Sequence, residues 1–177
     1  MLDVRTNLQA TSACRYHVSL AVDDNEIREA QRLRYTVFAE EMGARLPSVL
    51  PGHDIDLYDP FCDHLLVREL ASGEVVGTYR ILPPEAAKRV GSYYSEQEFD
   101  LTRLGFLRPR MAELGRSCVH PVHRCGSVIA RLWMGLADYM TRYGYETIVG
   151  CASVGMADGG HIAASVHRQL AARHLAP

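Results

Sequence analysis

A carboxylate and a guanidinium stand three residues apart in the segment Glu113-Leu-Gly-Arg-Ser-Cys-Val-His-Pro121. The segment reads as a strand running into a turn, with a helix starting near Gly126. A strand that feeds a helix N-terminus beside an acid is a setting for an anionic, phosphate-bearing donor, because the first helical turn presents unbonded N–H groups. On an unbroken strand Glu113 and Arg116 point to opposite faces, and only a bulge brings them together. By themselves they amount to an ordinary ion pair or two unrelated surface charges.

The remaining charges decide whether this pair is a site. Arg34 lies one turn before Phe38 on a helical stretch, and Arg80 lies near the end of an apolar strand. Asp54, Asp56 and Asp59 fall in an aperiodic segment, residues 44–60, which holds three prolines and a glycine. If that segment folds over a sheet, three arginines meet three aspartates and Glu113, a network able to fix a loop and hold polar groups in place. Spacing alone weighs this equally against a scatter of solvated charges.

The turn Val122-His-Arg-Cys-Gly-Ser-Val carries Arg124, Gly126 and Ser127 at the expected helix start, which suits a phosphate or pyrophosphate. Cys118, His120, His123 and Cys125 crowd the same region, but their spacing fits no standard zinc finger, which weighs against a metal. Cys118 reads either as a nucleophile forming an acyl-enzyme or, more commonly, as a buried free thiol. Phe38, Phe99 and Trp133 are candidates to wall an apolar tunnel, which a long acyl group needs.

Around these residues, 177 positions with 47% hydrophobic and 23% charged residues fit a single domain spanning residues 1–177. A net charge of −2 gives no electrostatic footprint for nucleic acid. No apolar run is long enough for a bilayer, and residues 1–11 carry no apolar signal core. Five cysteines without a Cys-x-x-Cys pair favour reduced thiols in the cytoplasm.

Patterning supplies the elements. Residues 16–22 alternate as a first strand, and Asp24 or Asn25 caps a helix starting near Glu26 and stopping at Gly43, with Ile27, Ala30, Leu33, Val37 and Phe38 on one face. Residues 64–70 and 75–82 form a hairpin across Ser72-Gly73. A short helix over 85–90 precedes a turn over 93–101 that feeds Phe99 inward. Residues 111–119 are the fourth strand and 127–143 a striped helix closed by Gly144. A fifth strand over 147–151 and a helix over 161–174 end the chain. Antiparallel strands followed by a strand–helix–strand crossover predict a mixed α/β (α+β) sheet with helices on both faces. One or two further strands are expected beyond Pro177.

As a set, these segments resemble a known family. Arg34-Tyr-Thr-Val-Phe38-x-Glu-Glu41, Asp54-x-Asp56-x-Tyr-Asp59, Val76-Gly-Thr-Tyr-Arg80 and Glu113-Leu-Gly-Arg116 resemble, in order, motifs of acyl-homoserine-lactone synthases. Cys62-Asp-His-Leu-Leu-Val67, Tyr94-Ser-Glu-x-Glu-Phe-Asp-Leu101, Glu113 to His120 and Gly150-Cys-Ala-Ser153 look more like the related ornithine lipid synthesis N-acyltransferases, often labelled hemolysin-like. The resemblance runs from Arg28 to Pro177 and implies a GNAT-like mixed central sheet flanked by helices, here lacking its last strands.

It also implies transfer of a 3-hydroxy fatty acyl group from acyl carrier protein to the α-amine of ornithine. The donor is then a phosphopantetheine thioester, with no bound cofactor and no metal. The enzyme would be cytoplasmic, meeting the inner membrane face through its lipid product. By position, Arg34, Phe38, Asp54, Asp56, Asp59, Arg80, Phe99, Glu113 and Arg116 fall on the core motifs. Glu113 is the expected base. Arg116 and Arg80 hold the network and the acceptor, Ser117 and Cys118 line the substrate site, and Arg124, Gly126 and Ser127 meet the phosphate. The alternatives are another N-acyl amino acid or lactone synthase and a non-catalytic module that binds acyl carrier protein.

Overall fold

The computed structural model describes residues 15–175; residues 1–11, read above as free of a signal core, and the chain's end at Pro177 lie outside them. Among the described residues, five strands form one sheet in the order β1 (Tyr16–Leu20), β2 (Asp63–Glu69), β3 (Val75–Leu82), β4 (Met111–Val119), β5 (Thr147–Val149). The first four are antiparallel neighbours and β5 joins β4 in parallel, the mixed sheet that the element order predicts.

Two helices cover opposite faces. Helix α3 (Ser127–Tyr143) places Val128, Leu132, Leu136 and Tyr139 on Leu65, Val67, Ile81, Ala112 and Leu114. Gly135 lets it sit close, since a Cβ there would come within 2.6 Å of Val18. Helix α1 (Asp24–Tyr35) lies on the other face, where Leu33 and Val37 pack on Cys118. Its cap is Asp23 rather than the expected Asp24 or Asn25: the Asp23 carboxylate accepts from the N–H groups of Asn25 and Glu26, at 2.9 and 3.0 Å. The apolar stripe marks its buried face only in part, because Gln31 and Arg34 are buried there too. Residues Thr36–Glu41 continue as a π-helical turn ending before Gly43, which has φ 73°.

Helix α2 (Pro84–Val90) closes one end of the sheet, with Ala86 and Ala87 packed beside Tyr58, Tyr93 and Met111. Helix α4 (His161–His174) ends the described chain. Phe99 and Trp133 do not turn inward; they are 59% and 51% exposed. In the 93–101 turn it is Tyr93, Ser95 and Leu101 that are buried, the first two bonded to β4 by the Tyr93 hydroxyl and the Ser95 N–H.

Candidate active site

The alternation of β4 breaks at Arg116. Arg80 pairs with Gly115 but Thr78 pairs with Cys118, so two residues of β4 stand opposite Tyr79 alone. Arg116 adopts φ 51°, a left-handed conformation costing a non-glycine residue about 1–3 kcal/mol. This bulge puts Arg116 on the α1 face together with Glu113, which a flat strand forbids.

On that face the three arginines and three aspartates close into a ring. Arg34 Nε meets Asp54 Oδ2 at 2.9 Å, and Arg34 Nη2 meets Asp59 Oδ1 at 2.6 Å. Arg80 Nη1 joins Asp59 and Asp56, at 3.1 and 2.6 Å. Arg116 completes the circuit to Asp54 at 3.0 Å and Asp56 at 3.3 Å. Each aspartate bridges two arginines, so the ring is electrically neutral. Arg34, Asp54 and Asp59 are buried, and Arg34 also donates to the Asp54 carbonyl. Burial works to raise the Asp59 pKa, but Arg34 and Arg80 outweigh it and hold the carboxyl below its usual range. The ring ties the irregular loop to the sheet.

Glu113 is not part of it. Its Oε1 accepts from the Ser95 N–H at 2.6 Å and the Ser95 hydroxyl at 2.5 Å, and its Oε2 accepts from the Tyr94 N–H at 2.6 Å. The expected meeting of Glu113 with the arginines is therefore replaced by a clamp on the Tyr94–Gln97 turn. A carboxylate offers about four acceptor sites, so one site on Oε2 remains.

A cleft of about 970 Å³ runs beside these groups. Of the residues singled out in the sequence, Phe38, Arg80, Glu113, Arg116, Ser117, Cys118, Arg124 and Gly126 line it. Arg34, Asp54, Asp56 and Asp59 brace it from behind, and neither Ser127 nor Phe99 is on its wall. Tyr94, Cys151 and Ser153 line it as well. The motifs containing them were legible, but nothing in their spacing gave them a role.

Strand β5 pairs with β4 only from Met111 to Glu113, and beyond that β4 runs on to Val119 with no partner strand on this side among the described residues. Just past β5 the chain still lies against β4 at Gly150, where a Cβ would come within 2.5 Å of the Leu114 carbonyl oxygen. At the far end of the cleft, Arg124 forms two 2.6 Å bonds to Glu41. Gly126, at φ 87°, precedes α3, whose first turn has no side-chain cap. Cys118 is buried, and burial pushes its thiol up to about 12, which removes the thiolate an acyl-enzyme requires. Among the described residues, no three His, Cys, Asp or Glu side chains are grouped to hold a metal ion. No helix among them is long and apolar enough to cross a membrane.

Residues 33–134 match the acetyltransferase (GNAT) domain family. The chain is 39% identical over 178 aligned residues to an L-ornithine N(alpha)-acyltransferase of Rhodobacter capsulatus, covering 95% of this chain and 67% of the relative. It is 41% identical to a protein of the same name from Brucella abortus, covering 77% of this chain and 52% of that one. The chain thus spans between about half and two thirds of these relatives' lengths. Among solved structures, the AHL synthase LasI superposes with a TM-score of 0.59 at 24% identity, covering 84% of this chain and 77% of the other, a likeness of fold.

Proposed function

The chain belongs to the acetyltransferase (GNAT) family and to that of the L-ornithine N(alpha)-acyltransferases, and on that premise we propose that it moves a fatty acyl group from a thioester to the α-amine of ornithine. The observation that carries the reading is the notch where β4 outruns β5. An extended pantetheine arm has amides of its own and fits beside the unpartnered end of β4. Its thioester carbonyl would then meet a β4 backbone N–H, a donor placed where oxyanion charge develops. The α3 N-terminus and Arg124, after exchanging part of its bond to Glu41, would take the phosphate. A single phosphate on a carrier-protein arm fits this short turn, so acyl carrier protein is the proposed donor and the acyl group a 3-hydroxy fatty acid.

An amine attacks only after losing its extra proton. Glu113 is the proposed acceptor of that proton, through the free site on Oε2 or one bridging water. Arg116 and Arg80 stand at the cleft wall to hold the acceptor's carboxylate. Attack on the thioester is direct, since the buried Cys118 thiol is unsuited to a covalent intermediate.

Purified protein supplied with a 3-hydroxyacyl carrier thioester and a panel of amines should give Nα-acylornithine by mass spectrometry. Hydrolysis without amide, or equal use of every amine, would overturn the substrate reading. Glu113→Gln should lower kcat by roughly 10²-fold or more while donor binding stays near wild type. Near-wild-type turnover would remove Glu113 from the base role.

A further inference from the structure

Cys151 lies on the cleft wall just after the notch, and its thiol is not isolated. Its Sγ–H donates to Ser95 Oγ at 3.5 Å, and Ser95 Oγ–H donates to Glu113 Oε1 at 2.5 Å. The order thiol, hydroxyl, carboxylate is a directed chain of hydrogen bonds. Its two inner members are shielded from water, Ser95 at 1% and Glu113 at 5% exposure, while the thiol end is open to the cleft. The Ser95 N–H also donates to Glu113 Oε1, at 2.6 Å, so the hydroxyl is held beside the carboxylate. Gly150 sets the position of the thiol, because the chain there lies against the Leu114 carbonyl with no room for a side chain.

Resting on the acyl-transfer reading, we infer that Cys151 is the acid that protonates the departing thiolate, and that Ser95 returns to it the proton that Glu113 takes from the amine. The α-ammonium gives up two protons: Glu113 passes the first on to water as the free amine forms, and it takes the second from the nitrogen as the C–N bond forms. The C–N bond forms as the C–S bond breaks, and sulfur leaves with the electron pair and takes the Cys151 proton. The proton accepted by Glu113 passes to the Ser95 oxygen as the Ser95 proton passes to Cys151. Donor thiol and amide are released, and the relay is restored.

The leaving group is the handle for a test. An alkyl thiolate needs a proton as it departs, whereas an aryl thiolate, a far weaker base, does not. Wild-type protein, Cys151→Ala, Cys151→Ser and Ser95→Ala are assayed with ornithine and two donors, an acyl-pantetheine thioester and the matching acyl-arylthiol ester. Cys151→Ala should lose about 10²-fold with the alkyl donor and fall within about threefold of wild type with the aryl donor. Cys151→Ser should regain part of the alkyl rate. Ser95→Ala should show the same donor-selective loss. Equal losses with both donors would overturn the acid assignment. A selective loss in Cys151→Ala that is missing in Ser95→Ala would overturn the relay. Wild-type protein forming no amide from either donor would overturn the transfer reading itself and the inference with it.

Discussion

Acidification should weaken this fold through one side chain, His64. The imidazole is buried, with Nδ1 3.3 Å from Arg34 Nη1 and Nε2 3.5 Å from the Asp59 carbonyl oxygen. Only the neutral ring protonated on Nε2 satisfies both, accepting from the guanidinium at Nδ1 and donating at Nε2. A second proton would be driven against the arginine. Burial, followed by Arg34, therefore pushes the His64 pKa down from 6.5 to about 4, against the opposing effect of Asp59. The unfolded chain still takes up its proton near 6.5. Between these limits the unfolded state binds more protons, so stability falls as pH falls. The contribution is whole above the unfolded value, erodes through the window and is gone below about 4. Two to three decades of proton affinity, at ~1.4 kcal/mol each, give about 3 kcal/mol, a large share of a typical domain's stability. His64→Gln keeps one acceptor and one donor at the position but does not titrate. Urea unfolding of both proteins from pH 7 to pH 4 should show wild type losing about 3 kcal/mol more than the variant. Parallel stability curves would refute the reasoning.

Three further outcomes follow from the packing. Arg34→Met leaves Asp54 and Asp59 short of a buried partner and should cost roughly 3–5 kcal/mol in denaturant unfolding, with Arg34→Lys recovering only part of it. Gly135→Ala drives a methyl into Val18 and Leu65, and should lower stability by about 1–3 kcal/mol without altering Glu113-dependent chemistry. Cys118→Ser should keep measurable amide formation, whereas an acyl-enzyme at that thiol would require its complete loss.

The sequence made β3, β4, α3 and α4 legible because their signals are local. Val75–Leu82 is a bounded apolar run, Met111–Val119 a short segment ended by His120-Pro121, and Gly144 closes a helix whose stripe is unbroken. The Arg34, Arg80 and Asp54–Asp59 network was legible as a hypothesis because charge placement limits what a loop can meet. Its closure was not, since it depends on Arg116 crossing to the α1 face, and Gly115 inside a strand hints at a bulge without saying which side chain it redirects. The role given to Phe99 failed because burial of a short aperiodic turn is set by what it docks on, and Glu113 draws Ser95 inward instead. The partnership of Ser95 with Cys151 joins residues 56 positions apart and has no local pattern.

Strand β4 has one residue more than β3 offers to pair with it, and this surplus sets which changes in length the strand tolerates. Before Arg116 the odd-numbered side chains face α1, and after it Cys118 does. Removing Ser117 would flatten the ladder, keep Cys118 opposite Thr78 on the α1 face, and turn Arg116 beside Tyr79 toward α3, away from Asp54 and Asp56. Single insertions or deletions between Gly115 and Cys118 should therefore be rejected even where substitutions at the same positions survive. In this strand the count of residues carries as much information as their identity.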